Sequence, residues 1–306
     1  MRPTEKLMNN KTIYALGFFD GVHLGHQALL RTCNTLAQTH RCRSGAVTFA
    51  AHPDTLVLRS APRLINTIED RQTLLSRFGM EAVVTLPFDD AMRCLPWEDF
   101  LTLLLERYNA AGFVCGEDFR FGYRGAGSAE GLAAFCQSRG LPCAIVPDQL
   151  LDGQRISSTR IRSLLEDGDI AQANRLLGHR HILTGPVIHG QQLGRTLGIP
   201  TANLALPACL AVPRFGVYAC LAQVGGQVYP AVTNIGVRPT VSGEGITVEP
   251  WLLDYRGDLY GQTLTLEFHA FLRPEKKFPD LQALKAAVLE NAQQTRALLE
   301  KGENPP

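Results

Sequence analysis

The sequence predicts an α/β domain built on a parallel sheet, followed by a small antiparallel β-barrel that ends in a C-terminal helix. Three observations carry that expectation. Short apolar runs alternate with amphipathic helical stretches over the first part of the chain, the signature of strands linked by crossover helices. Past Gly178 the texture changes to closely spaced β-rich runs with Gly and Pro between them, as in antiparallel strands joined by tight turns. The length, 306 residues, exceeds what one hydrophobic core usually serves, so two domains are expected.

In chain order, strands are expected at Thr12–Gly17, Gly45–Phe49, Ala82–Leu86, Gly112–Cys115 and Cys143–Val146. Amphipathic helices fall between and after them, at Gly25–Gln38, Thr67–Arg77, Pro96–Asn109 and Ala129–Arg139. Two more helical patterns, Ser158–Glu166 and Ile170–Leu177, close this half, and Asp169 suits the N-cap of the second. The second half offers strands at His181–Ile188, Gly216–Val224, Gln227–Ile235, Ile246–Asp254 and Thr263–Phe271, with Gly225-Gly226 as a turn signal. A polar amphipathic helix runs from Asp280 to about Leu299 before a Pro-Pro tail. The texture changes near residues 178–184, which divides the chain into domains 1–180 and 181–306.

Composition narrows the function classes. Hydrophobic residues make up 45% and charged residues 19%, ordinary for a globular chain. Thirty basic residues against 29 acidic leave a net charge of +1. That balance calls for neither nucleic acid nor a membrane surface as partner, since both need a basic face. A local basic cluster can still hold an anionic small molecule, and self-association stays open. The eight cysteines include no C-x-x-C pair, so reduced and mostly buried thiols are expected. Met1–Asn10 has no signal-like apolar core and no apolar run approaches the ~20 residues that span a bilayer, which points to a cytoplasmic protein.

The first chemical signal follows the first strand, in Gly17-Phe18-Phe19-Asp20-Gly21-Val22-His23-Leu24-Gly25-His26. Gly17, Gly21 and Gly25 let a ligand approach the backbone, and the helix start offers free N–H groups and positive dipole to a phosphate. His23 and His26, three residues apart, share one face of the first helical turn. They can donate hydrogen bonds to a triphosphate and to charge developing on leaving pyrophosphate. As a lone pair they would read as incidental polar residues, but the three glycines at the same turn argue otherwise. A zinc pair is a poorer reading, because helical metal pairs sit at i, i+4 and no thiol or carboxylate completes a set.

His-x-Gly-His after the first strand resembles the nucleotidyltransferase superfamily. The longer string, G-x-F-D-G-V-H-x-G-H, is similar to the FAD synthetase module of prokaryotic bifunctional riboflavin kinase/FMN adenylyltransferases. Further blocks agree in order: Val47-Thr48-Phe49 with His52-Pro53, Gly116-Glu117-Asp118-Phe119-Arg120-Phe121-Gly122, and Ile156-Ser157-Ser158-Thr159-Arg160-Ile161-Arg162. Ala50-Ala51 departs from the pattern, where the family often has a polar or acidic residue and Pro. The last block makes sense by itself, since three hydroxyls and two guanidinium groups at a helix start suit a polyphosphate. The resemblance implies a Rossmann-like nucleotidyltransferase domain that transfers adenylyl from ATP to FMN, giving FAD. It places Gly17, Phe19, Asp20, Gly25, Ser157, Ser158 and Thr159 on ATP, and His52, Pro53, Asp118, Phe119 and Phe121 on the flavin. The FMN phosphate is already ionised, so His23, His26 and Arg162 are expected as electrostatic stabilisers rather than as acid or base.

The second half has no P-loop and no protein-kinase motif. It carries Gly185-Pro186-Val187-Ile188-His189-Gly190-Gln191-Gln192-Leu193-Gly194-Arg195-Thr196-Leu197-Gly198-Ile199-Pro200-Thr201-Ala202-Asn203-Leu204, which resembles the riboflavin kinase signature. Gly216-Val217-Tyr218-Ala219, Asn234 to Thr240, Asp258-Leu259-Tyr260-Gly261 and Leu272 to Phe278 match in order. A riboflavin-kinase-type barrel is implied, with Mg²⁺ on Thr201 and Asn203, whose hard oxygens suit it. ATP and flavin contacts fall to Gly190, Gly194, Arg195, Pro200, Asn234, Arg238 and Arg273. The ribityl hydroxyl of riboflavin is a neutral nucleophile that benefits from a base. The resemblance makes that base Glu249, although Pro250 is unusual in a strand and Trp251 stands where many relatives have His. Rival readings are another small-molecule nucleotidyltransferase, which leaves the second half idle, and a flavin-binding or regulatory protein that has lost catalysis. A class I aminoacyl-tRNA synthetase would need a K-M-S-K-S-like loop, which is not found.

Overall fold

The computed structural model describes residues 10–53, 62–190, 194, 198–240 and 243–300, with only the backbone of 238–240 and 243–244. Packing divides the chain into two compact units, one of residues 1–62 and 71–156, the other of residues 63–70 and 157–306.

In the first unit, β1 (Thr12–Leu16), β2 (Arg43–Phe49), β3 (Ala82–Leu86), β4 (Ala110–Gly116) and β5 (Cys143–Val146) form one sheet in the order β3-β2-β1-β4-β5. Every pairing is parallel. All five residues of β1 are buried, as a central strand covered on both faces must be. The longer helices are α1 (Leu24–Thr39), α2 (Ile68–Arg77, in this unit from Arg71 on), α3 (Trp97–Arg107) and α4 (Ala129–Ser138), and a single helical turn spans Asp90–Arg93. Phe100, Leu101 and Leu104 of α3 and Leu132 and Phe135 of α4 pack with Tyr14, Leu16, Phe113 and Cys115 of the sheet. Gly45 in β2 has no room for a side chain, because a Cβ there would come 2.6 Å from the Tyr14 ring. A hairpin of β6 (Leu150–Leu151) and β7 (Gln154–Arg155), absent from the expectation above, turns on Asp152 (φ 54°) and Gly153 (φ 73°). Both central residues at positive φ make the Asp-Gly hairpin turn that right-twisted strands favour.

The second unit begins with α5 (Ser158–Asp167) and α6 (Ile170–Leu177), each ending in a left-handed glycine, Gly168 or Gly178. Ser157 and Asp169 supply the N-caps, accepting from the Arg160 and Gln172 N–H groups. The strands β8 (His181–Ile188), β9 (Asn203–Leu204), β10 (Gly216–Val224), β11 (Gln227–Thr240), β12 (Gly243–Leu252) and β13 (Thr263–Pro274) close an antiparallel barrel in the order β10-β11-β12-β9-β8-β13. The two-residue β9 completes the ring, which the five expected strands would leave open. The β10–β11 hairpin turns on Gly225 (φ 57°) and Gly226 (φ 79°), as expected. Asn174 of α6 ties the helices to the barrel: its Nδ2 donates to the Phe268 carbonyl (2.9 Å) and its Oδ1 accepts from the His181 N–H (2.7 Å). The final helix, α7 (Leu281–Glu300), packs on the barrel, with Ala292 against Val217, Val232 and Leu253.

All eight cysteines are free; Cys33, Cys115, Cys136 and Cys220 are buried, Cys42 and Cys143 half-buried, and Cys94 and Cys209 exposed. Burial therefore holds for half of them rather than for most.

The His181 ring is fully buried against Phe268, and neither of its nitrogens has a hydrogen-bond partner among the described residues. Burial pushes its pKa down to about 3. The unfolded chain therefore binds a proton, near pH 6.5, that the folded chain refuses, so stability is full above that value and falls with pH below it. Each pH unit in that window removes about 1.4 kcal/mol through this residue. His181→Phe should flatten the fall in urea midpoint between pH 7 and pH 5, measured by intrinsic fluorescence.

Candidate active sites

Strand order in the first sheet reverses between β1 and β4. At such a point the loops leaving the strand ends part, and a crevice opens beyond their carboxyl ends. The loop leaving β1 is the one with the His-x-Gly-His turn, and the loop leaving β4 begins the Gly116–Gly122 block. Topology therefore puts these two motif blocks at the same end of the sheet, beside the reversal.

The β1 loop is strained and tightly held. Phe19 (φ 58°), Gly21 (φ 83°) and Val22 (φ 41°) all lie at positive φ, which a β-branched residue rarely tolerates. Such backbone persists only where the surroundings over-determine it. Here Phe19, Asp20 and Val22 are buried, the Phe19 ring lies over Gly17, and Gln27 Nε2 donates to the Val22 carbonyl (2.9 Å). The loop delivers His23 to the N-cap of α1, where Nδ1 accepts from the His26 N–H (3.2 Å). The two imidazoles stack at 3.6 Å, and Gly25 leaves space for the His23 ring. Two positive charges that close would repel by about 4–5 kcal/mol at an effective dielectric of ~20, so both rings are not charged together. Burial, then His23, then Arg71 hold His26 well below the ordinary imidazole value. It is a neutral group at pH 7, able to donate one hydrogen bond, with Nδ1 buried and unpartnered among the described residues.

Beside the loop is a cavity of about 720 Å³ lined by Phe18, Phe49, His52, Pro53, Asp118, Phe119 and Phe121, among others. All five residues expected on the flavin line it. The Phe119 and Phe121 rings stack at 5.3 Å, and His52 meets the edge of Phe18 at 4.6 Å. Asp118 is bonded to Arg155, which also reaches Asp148 (2.7 Å). Ser157, Ser158, Thr159 and Arg162 sit at the opening of α5, in the second unit. Arg162 Nη1 donates to Thr159 Oγ1 at 3.5 Å.

In the barrel, register aligns the second set. Leu204 of β9 pairs with Val248 of β12, and the Ala202 N–H donates to the Pro250 carbonyl (2.8 Å). Antiparallel continuation of that register sets Asn203 opposite Glu249, and Glu249 pairs directly with Asn234 of β11. Leu204 and Val248 point into the core, so the alternating positions share the other face. Gly190 and Asn203 meet so closely that a Cβ on Gly190 would lie 2.2 Å from the amide nitrogen. Gly194 packs on the same segment, its carbonyl accepting from the Ile199 N–H (2.8 Å). Pro200 and Thr201 line a smaller hollow with Tyr255, Asp258 and Tyr260. Arg273 is turned toward α7, with Nε donating to Asn291 Oδ1 (3.0 Å). Arg195 lies outside the described residues, and of Arg238 only the backbone is described.

Two residues escaped the sequence reading. Glu275 Oε1 comes within 3.5 Å of Asn234 Nδ2, and a Cβ on Gly236 would overlap its carboxylate. Arg71 is fully buried beneath the β1 loop. No group of three or more His, Cys, Asp or Glu side chains suited to a metal occurs among the described residues.

Comparison with known proteins agrees with both sets. A family model described as FAD synthetase matches residues 5–160, and one described as riboflavin kinase matches residues 177–299. A relative from Pseudomonas fluorescens is 37% identical, covering 94% of this chain and 92% of its own. One from Listeria monocytogenes is 31% identical, covering 98% and 96%. Both are named bifunctional riboflavin kinase/FMN adenylyltransferase. A crystal structure from Streptococcus pneumoniae, described as a macrolide-efflux protein, superposes with a TM-score of 0.84 at 31% identity, covering 94% of each chain. With both halves matched and relatives aligned almost end to end, the chain belongs to the bifunctional riboflavin kinase/FMN adenylyltransferase family.

Proposed function

We propose that the chain makes FAD in two steps, phosphorylating riboflavin with ATP and then transferring adenylyl from a second ATP to the FMN formed. Riboflavin, FMN and ATP are its small-molecule substrates. The observation that carries this reading is the barrel register, which lines Asn203, Glu249 and Asn234 across three neighbouring strands. Adenylyl transfer is assigned to domain 1–180 and phosphorylation to domain 181–306, in line with the family matches.

In the kinase step the Glu249 carboxylate takes the proton of the ribityl hydroxyl as its oxygen attacks the γ-phosphorus and ADP leaves. Thr201 and Asn203 offer a hydroxyl and an amide oxygen to Mg²⁺, a donor set this hard cation accepts alongside water and phosphate. When bound, the ion neutralises charge on the transferring phosphoryl group. Gly190 and Gly194 let the backbone lie close to Asn203 and to the 199–201 segment, with Arg195, Pro200, Asn234, Arg238 and Arg273 assigned to ATP or flavin.

In the adenylyl step an FMN phosphate oxygen attacks the α-phosphorus of ATP, and pyrophosphate leaves. No base is needed. His23 and His26, with Arg162, stabilise the charge that builds on the phosphates, and neutral His26 does so as a hydrogen-bond donor. Gly17, Phe19, Asp20 and Gly25 with Ser157, Ser158 and Thr159 hold ATP. The aromatic cavity, with His52, Pro53, Asp118, Phe119 and Phe121, suits the flat flavin ring. No helix among the described residues is long and apolar enough to cross a membrane. A cytoplasmic enzyme with neither nucleic acid nor membrane as partner fits the near-neutral charge.

A time course with riboflavin, ATP and Mg²⁺, resolved by chromatography, should show FMN first and FAD later; no flavin conversion by folded protein overturns the proposal. Glu249→Gln should lower the kcat of the first step by about 10²–10⁴-fold and leave FAD formation from supplied FMN intact. His26→Ala should lower the second by about 10²–10³-fold and spare the first. Removing Mg²⁺ with EDTA should stop phosphorylation, and Asn203→Ala should raise the Mg²⁺ concentration needed for half-maximal rate.

A further inference from the structure

Among the described residues Arg71 is the bulkiest side chain to be fully buried, in a helix whose amphipathic pattern would ordinarily turn an arginine outward. Nη1 donates to Thr48 Oγ1 (3.2 Å) and to the Phe49 carbonyl (3.0 Å), both at the carboxyl end of β2. The guanidinium carbon lies 4.0 Å from the centre of the Phe18 ring. Thr48 in turn donates from Oγ1 to the Phe18 carbonyl (2.8 Å). Phe18 is therefore gripped twice, its ring by the cation and its carbonyl through Thr48. Nε and Nη2 are buried without a hydrogen-bond partner among the described residues. Burial pushes the pKa of the guanidinium down, and the charge of Asp20 works against that shift.

A buried cation with two nitrogens left without hydrogen bonds is a poor stability device, since an apolar side chain of similar volume serves packing as well or better. Its placement answers a different need. Phe18 opens the strained segment in which Phe19, Gly21 and Val22 hold positive φ and which ends at His23. Something outside the loop must keep that backbone from relaxing. We propose that Arg71 is a positioning residue for adenylyl transfer, bracing Phe18 from below so that the β1 loop presents Asp20, His23 and His26 in their working geometry. The inference rests on the reading of this unit as the adenylyl-transfer site. Arg71 touches no substrate in this role and acts through Phe18, Thr48 and Asp20. An ammonium could keep the charge and serve both acceptors, but it lacks the planar guanidinium face that lies over the Phe18 ring, so lysine is expected to replace arginine only in part.

The full-length chain tests this, with its riboflavin kinase step as an internal gauge of intact protein. In Arg71→Met the kcat for FMN to FAD should fall by about 10²-fold, the cost of a small misplacement of stabilising groups. The KM for FMN should stay within about threefold, because ground-state binding is not what is lost. FMN formation from riboflavin and the melting temperature should hold, and Arg71→Lys should recover part of kcat. If Arg71→Met does not accumulate folded, Thr48→Val decides, with about a tenfold loss of kcat expected. An unchanged kcat in whichever variant decides, a loss confined to KM, or equal loss of both activities overturns the inference. A wild-type chain that makes FMN but no FAD overturns the reading of the site itself.

Discussion

The first unit depends on one constraint: a parallel sheet whose central strand, β1, is buried on both faces must change direction of winding beside it. The reversal between β1 and β4 opens a crevice at the carboxyl ends of those strands. Everything chemical in that unit is arranged on its rim. The loop from β1 has to turn at once from a buried strand into α1, which His23 caps. Three residues at positive φ achieve that turn. Without a rigid β1 below and the capped helix above, the imidazole pair would have no fixed place from which to act.

The barrel solves a parallel problem by different means. Here the polar groups are set by strand register, which allows no half-measures: a slip of one residue would send Asn203, Glu249 or Asn234 to the core face. Hydrogen bonds of neighbouring strands thus fix distances that in the other unit depend on loop strain. The unusual Pro250 does not break the arrangement. Its carbonyl still accepts from Ala202, and that bond helps hold β9 in line.

What could be read from the sequence follows from where the physical signal lies. Strands such as Thr12–Leu16 and Gly216–Val224 are long enough to show their pattern, and helix caps such as Asp169 are chemically explicit. The glycine-rich loops could be read because a close approach of backbone leaves no alternative residue. By contrast, β9 is two residues long and has no period to detect. The Asp152-Gly153 turn was visible in principle, yet its flanking strands are too short to prompt a hairpin. Arg71 was hidden, because a lone arginine on an amphipathic helix reads as surface charge until its burial is seen. The texture change near residues 178–184 was legible, but the grouping of α5 and α6 with the barrel was not, since a buried polar anchor such as Asn174 looks like any surface asparagine in a sequence.

The shortness of β9 has a consequence for the barrel as a whole. A ring of strands is only as continuous as its narrowest seam, and this one is joined through a pair of residues, one of them a magnesium-ligand candidate. A ligand held at Asn203 would therefore act as a stitch across that seam, joining β8, β9 and β12 into one mechanical unit.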